Sequence, residues 1–295
     1  MRWYVGPIIC TTLLHGAMAA QNPPTWRLVE ELRIGSVNDD AQTLAFIGAL
    51  EVDARGNIYV TQPRTDYHIR VYDVSGKRVR TIGRKGGGPG EFEGIGNTVL
   101  RGDTLFAYDF QLRRTSLFGS DGRFVSSFSF TQLKLEPPFM SASPIEILGD
   151  GTVIAMPGAA LRPDQKELRV PILRLDRQGQ ILDTILVTPR TNSTLSIQQG
   201  TVVLFTSQPF SDDPIPVVAS GGTHVFSVDR RVAENASRAQ FRITRVGVDG
   251  DTLWSRPYNY TARDLKSSTI DSNRVYATIT DELDVPYVVR YRIQK

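Results

Sequence analysis

The feature that most constrains this chain is a repeat. Ile69-Arg-Val-Tyr-Asp-Val-Ser-Gly76-Lys-Arg-Val79-Arg-Thr-Ile82 is an alternating run, a turn built around glycine and a second alternating run. The pattern returns at 115–128, 172–185 and 243–254, with Gly122, Gly179 and Gly250 at the turn. Alternation with period two turns one face of a strand to a core, and glycine supplies the backbone freedom that a tight reversal needs, so each copy reads as a β-hairpin. A fifth first half, Val288-Val-Arg-Tyr-Arg-Ile293, has no returning partner after it. The expected partner is 26–34, which alternates like a second half, so an N-terminal strand would close a ring inside the last unit.

The equivalent residues Tyr72, Phe118, Leu175, Val246 and Tyr291 lie 46, 57, 71 and 45 positions apart. Ahead of each hairpin runs another strand-like pair about a turn: 46–53 with 56–60, 98–100 with 103–108, then 145–154, 217–226 and 268–277. Four strands per unit at a period of roughly 40 to 50 residues is the arithmetic of propeller blades rather than of short solenoid coils. One such sheet cannot bury both of its faces, whereas stacked blades cover one another. The expectation is an all-β chain forming a single β-propeller domain of four-stranded blades over 21–295, with five blades countable. The two long intervals carry insertions, and Pro137-Pro138 and Asp212-Asp213-Pro214 mark loops expected to protrude from one face.

Ahead of the repeats, Arg2, the apolar stretch 5–14 and Ala17-Met18-Ala19 form the charged, apolar and small-x-small parts of a secretory signal over 1–20. Export to the periplasm or medium follows as an expectation. The apolar stretch is far short of the roughly 20 residues that span a bilayer, so no integral membrane segment is expected after cleavage. Cys10 is the one cysteine and falls in that segment, which leaves the mature part without a thiol for a disulfide or a metal. A net charge of +3 spread over alternating signs is too weak to call for nucleic acid, and a monomer is expected.

Gly56-Asn-Ile-Tyr-Val60, His68-Ile-Arg-Val-Tyr-Asp73 and Thr81-Ile-Gly-Arg-Lys-Gly-Gly-Gly-Pro-Gly-Glu-Phe92 resemble the NHL-type propeller repeat. With the terminal Asp281-Glu-Leu-Asp-Val-Pro-Tyr-Val-Val-Arg-Tyr-Arg-Ile293, nearly all of the mature chain is similar to exported bacterial six-bladed β-propeller proteins of unassigned function. The resemblance implies six blades, with a further blade between Gly250 and the terminal motif. Only 257–268 separates those units here, so five blades stand beside an imperfectly closed ring of six.

Little in the chain points to catalysis. The glycine-rich 83–90 lacks the GxxxxGKS/T pattern and leads into a strand rather than a helix, so it reads as a connection between blades and not as a phosphate cradle. No GxSxG elbow occurs. Past the signal only His68 and His224 remain, too few for a catalytic zinc or for the zinc-dependent lyases that share the repeat. The reading is therefore a ligand-binding or protein-interaction module without a cofactor. Arg70, Arg84, Lys85, Arg113 and Arg114 are the candidate rim that receives an acidic sugar or a peptide carboxylate, making a glycan or a protein the expected partner. Asp66 with His68, and Asp109 with Arg114, are expected to pair across blades. The alternative is a calcium-assisted lactonase or esterase on the propeller axis, with Asp53, Asp109, Asp229 and Asp281 as candidate ligands of an ion that polarises a carbonyl. Sugar-lactone hydrolases that resemble this architecture work in that way.

Overall fold

The computed structural model describes residues 27–36, 38–39, 42–63, 65–159, 167–191, 194–199, 202–207, 214–219, 222–229, 240–259, 267–271, 274–280 and 286–294. The signal segment and Asp281 lie outside these residues. Every regular element among them is a strand. β1 (Arg27–Ile34) comes first, followed by a blade of β2 (Leu50–Val52), β3 (Ile58–Thr61), β4 (Ile69–Tyr72) and β5 (Arg78–Ile82). A short parallel pair, β6 (Arg84–Lys85) and β7 (Glu91–Phe92), leads to the second blade, β8 (Ile95–Arg101), β9 (Thr104–Asp109), β10 (Arg114–Phe118) and β11 (Phe124–Phe128). The third is β12 (Phe139–Ile147), β13 (Val153–Ala159), β14 (Glu167–Leu175) and β15 (Ile181–Thr191). After a two-stranded sheet of β16 (Thr194–Gln199) and β17 (Val202–Ser207) come β18 (Ile215–Val218), β19 (His224–Asp229), β20 (Gln240–Gly247) and β21 (Thr252–Asn259). β22 (Ser267–Asp271), β23 (Arg274–Thr280) and β24 (Pro286–Gln294) complete the set.

The described residues thus hold five four-stranded antiparallel sheets in a propeller arrangement. The first strands of four of the sheets meet on the inside: β2 touches both β8 and β22, and β8 touches β12. Each hairpin turns where the repeat places its glycine. Gly76, Gly122, Gly179 and Gly250 all have φ between 78° and 94°, and each donates its N–H to the carbonyl three residues back. A side chain would strain that left-handed backbone, which explains why this element of the sequence pattern is so regular.

The fifth sheet runs β22-β23-β24-β1, so the two ends of the described chain meet in one blade as the repeat implies. β1 pairs antiparallel to β24 from Arg27 opposite Gln294 to Ile34 opposite Val288, with a bulge at Glu31. The bulge has a use. Arg274 and Arg292 stand directly opposite each other on β23 and β24, an unfavourable like-charge pair, and Glu31 reaches Arg274 at 3.1 Å, Arg292 at 3.2 Å and Arg290 at 3.4 Å.

The core is divided between neighbouring blades. Tyr59, Ile69, Val71 and Ile82 of the first blade meet Ile95, Leu105, Ala107 and Phe118 of the second, and Val99, Phe106 and Leu117 meet Ile147 and Val153 of the third. Ile34 and Val288 of the closing blade pack with Leu44, Leu50, Ile58, Val60 and Tyr72. Each fully buried side chain of this size stabilises the stack by about 1.5–3 kcal/mol, and none of it is available to an isolated blade.

One feature of the sequence reading is corrected. The resemblance implies a further blade between Gly250 and the terminal motif; no such blade stands among the described residues, and the additional sheet is β16–β17, inside the 71-residue interval between the third and fourth blades. The first strand of the first blade is also shorter than 46–53, because it pairs only from Leu50 to Val52.

Candidate functional site

The connections from one blade to the next and the turns between second and third strands meet at the same end of the sheets. In the second blade Asp109, wholly buried at the end of β9, ties them together. Its Oδ2 accepts the N–H groups of Glu93 (2.7 Å) and Gly94 (3.1 Å) in the incoming connection, and its Oδ1 accepts those of Gln111 and Leu112 (both 2.9 Å) in the turn. In the first blade Gln62 accepts from Ala45 N–H at 2.7 Å and donates to Asp66, and Arg70 donates to Asp66 at 2.7 Å and to the Thr43 carbonyl at 2.8 Å.

The candidate cations differ in how far such bonds engage them. Arg70 is committed to Asp66 and Thr43, and Arg114 to the carbonyls of Gly87, Gly88 and Glu91. Asp109 and Arg114, opposite each other on β9 and β10, therefore serve backbone groups instead of pairing across blades, whereas His68 lies 3.5 Å from Asp66 within one blade. Lys85 sits over the Tyr67 ring at 4.8 Å, and Arg84, although 81% exposed, bonds Glu91 at 2.8 Å. Glu91 also accepts the Gly88 N–H at 2.8 Å. That backbone bond first, and Arg84 second, hold its carboxyl below the ordinary range. The glycine-rich connection thus carries its own anion. A Cβ on Gly86, at φ 145°, would fall 2.3 Å from the Glu91 carboxylate, so the closed loop requires glycine there.

Arg113 is different. It is the only described non-glycine residue with positive φ, at 50°, and it lies in the β9–β10 turn on the rim of a cleft of about 510 Å³ between the second and third blades. Tyr108 and Leu112 line the cleft from the second blade, residues 129–131 and 133–135 from the β11–β12 connection, and Met140 to Ala142 from β12. Lys134 joins Arg113 there, and neither has an ion-pair or hydrogen-bond partner among the described residues. Arg113 was legible as a candidate, but Lys134 was missed, because it stands outside the repeated hairpins, in the connection 129–138.

Asp53 and Asp109 are placed apart. Asp53 follows β2 and accepts from the N–H groups of Arg55 and Asn57, the Asn57 amide and the Tyr59 hydroxyl. It lies at the opposite end of the sheets from Asp109. Asp229 ends β19 opposite Arg242. No three His, Cys, Asp or Glu side chains among the described residues converge as metal ligands do.

The inner strands hold a further charged group that the sequence reading missed. Arg101 at the end of β8 pairs with Glu146 of β12 at 2.7 Å and donates to the Ile147 carbonyl at 2.8 Å. Glu51 of β2 is held nearby, and burial first, then the Glu146 charge, pushes its carboxyl up to about 8. Because this acid keeps its proton in the fold but releases it near 4.5 when unfolded, its contribution to stability is complete below 4.5 and is lost as pH rises through 8. Between about pH 5 and pH 8 the wild type is expected to lose on the order of 3 kcal/mol that Glu51→Gln retains, read from urea midpoints at each pH. Parallel pH profiles for the two proteins would remove Glu51 as the cause.

No family model matches the chain, and no curated protein matches it. Solved structures do match over nearly its whole length. A protein of Bacteroides fragilis taken to be exported is 14% identical, with 92% of this chain and 96% of that chain covered and a TM-score of 0.47. A DUF4221 family member from Bacteroides vulgatus is 12% identical, covering 91% and 98%, with a TM-score of 0.43. The PQQ-bound aldose sugar dehydrogenase of Streptomyces coelicolor is 11% identical, covering 92% and 99%, with a TM-score of 0.49. These likenesses concern chain course and carry no chemistry. No helix among the described residues is long and apolar enough to cross a membrane.

Proposed function

We propose that this is an exported β-propeller that binds a small carboxylate-bearing ligand in the cleft between its second and third blades. The observation that carries the reading is the pair of cations, Arg113 and Lys134, with no ion-pair or hydrogen-bond partner among the described residues at a concave site, while the neighbouring Arg70 and Arg114 are engaged by backbone carbonyls. Arg113 also sits at φ 50°, a conformation that costs a non-glycine residue about 1 kcal/mol and that glycine would adopt freely. An arginine kept at such a position favours a task for its side chain, and a guanidinium beside an ammonium suits the two oxygens of a carboxylate.

The test is equilibrium binding of a panel of carboxylates and their neutral amides by titration calorimetry. Hydrogen bonds to charged groups contribute about 1.5–3 kcal/mol, so Arg113→Ala and Lys134→Ala should each weaken the acids by about tenfold or more and leave the amides unchanged. Equal affinity for acids and amides, or indifference to both substitutions, would refute the assignment.

A further inference from the structure

Resting on that reading, we infer that the ligand is a hydroxylated acid, a uronic acid or an oligomer of one, rather than a fatty or aromatic acid. The β11–β12 connection divides its side chains by alternation. Phe130, Leu133 and Leu135 pack into the clusters around Val153 and Leu173, so part of their apolar surface is spent on the third blade and the rest faces the cleft. Gly179 fixes them there: a Cβ at that glycine would lie 2.7 Å from Phe130 Cβ and 3.0 Å from Leu133 Cβ, so the connection rests directly on the third hairpin turn.

Polar side chains line the cleft beside them. Ser129, Thr131 and Lys134 come from the connection and Ser141 from β12. The three hydroxyls have no side-chain hydrogen-bond partner among the described residues, and each can both donate and accept, as sugar hydroxyls do. Met140, 67% exposed at the rim, is the most exposed apolar side chain of the lining, and with the half-buried Leu112, Phe130, Leu133 and Leu135 it offers apolar surface for the C–H face of a sugar ring beside the three hydroxyls. About 510 Å³ is in the range that encloses a drug-sized ligand and exceeds what a short acid fills.

The full chain would be titrated with glucuronate and galacturonate, their short oligomers, glucose, hexanoate and benzoate. A uronate should bind about tenfold or more tighter than hexanoate, benzoate and glucose, and the double variant Ser129→Ala with Thr131→Val should weaken the uronate severalfold without changing any residual hexanoate binding. Hexanoate or benzoate binding as tightly as every uronate would overturn the hydroxylated class while leaving the carboxylate cleft standing. Glucose matching glucuronate, or no acid binding at all, would overturn both. Arg113→Gly guards against misreading a folding defect: it should raise Tm by about 2 °C, through relief of the left-handed arginine, while lowering uronate affinity about tenfold. A variant with a lowered Tm, or with affinity retained, would count against Arg113 as the anchor.

Discussion

A chain beginning at Gly35, without β1, is expected to lose its cooperative melting transition, whereas a circular permutant that carries 27–34 after Gln294 through a two-residue turn keeps it. β1 supplies the outer strand of the closing blade and nothing else pairs with that edge of β24. Its loss removes seven register pairs, whose hydrogen bonds contribute about 1 kcal/mol each, and empties the place of Ile34 in the cluster with Leu44 and Tyr72, a cavity costing about 2–4 kcal/mol. It also strips Glu31 from three arginines, of which Arg290 is only 11% exposed, for about 3 kcal/mol more. The total is comparable with the whole stability of an ordinary domain, roughly 5–15 kcal/mol. The permutant restores every contact, because Gln294 and Arg27 are already opposite each other. Differential scanning calorimetry separates the cases: a truncated chain that melts like the wild type would mean that the closing strand is dispensable, and an unfolded permutant would mean that chain order, not pairing, is what matters.

The second large effect is expected at Asp109. Replacing it by alanine leaves four backbone N–H groups without their acceptor, two in the glycine-rich connection and two in the turn that carries Arg113. The Gly94 donor is buried and the other three are part-buried; at about 1–3 kcal/mol for a buried donor left unpaired and less for one that water reaches, the loss is about 3 kcal/mol, and the turn should loosen enough to lower affinity for the cleft ligand as well. Asp109→Asn should fall between, since its oxygen can serve one pair of donors while its NH₂ faces the other. Urea unfolding of the three proteins decides the point. A change within about 1 kcal/mol for the alanine variant would show that the connection and the turn hold without the carboxylate.

The hairpins were readable from sequence because their determinants are local: alternation sets the strand, and one glycine sets the turn at Gly76, Gly122, Gly179 and Gly250. The closing strand was readable because an unpaired half-repeat demands a partner. The β16–β17 sheet was not, since its strands fall outside the repeat and answer to no neighbouring copy. The site divides the same way. Five cations were equivalent candidates in sequence, but the groups that engage Arg70 and Arg114 include backbone carbonyls at Thr43, Gly87 and Gly88, which no residue type announces. Glu51 and Glu146 looked like ordinary strand charges until three inner strands brought them beside Arg101.

The glycine-rich connection also bears on what this face of the molecule ignores. A free anion seeking the amides of 86–88 has to displace Glu91, which is tethered through the loop to both Gly88 and Arg84 and so competes at an effective concentration that short linkers commonly hold in the millimolar range. Dilute phosphate or sulfate is outcompeted there without any steric barrier. The face is thereby muted to bystander ions at its most glycine-rich segment, and the proposed discrimination among acids would fall to Arg113 and Lys134, which have no tethered carboxylate among the described residues.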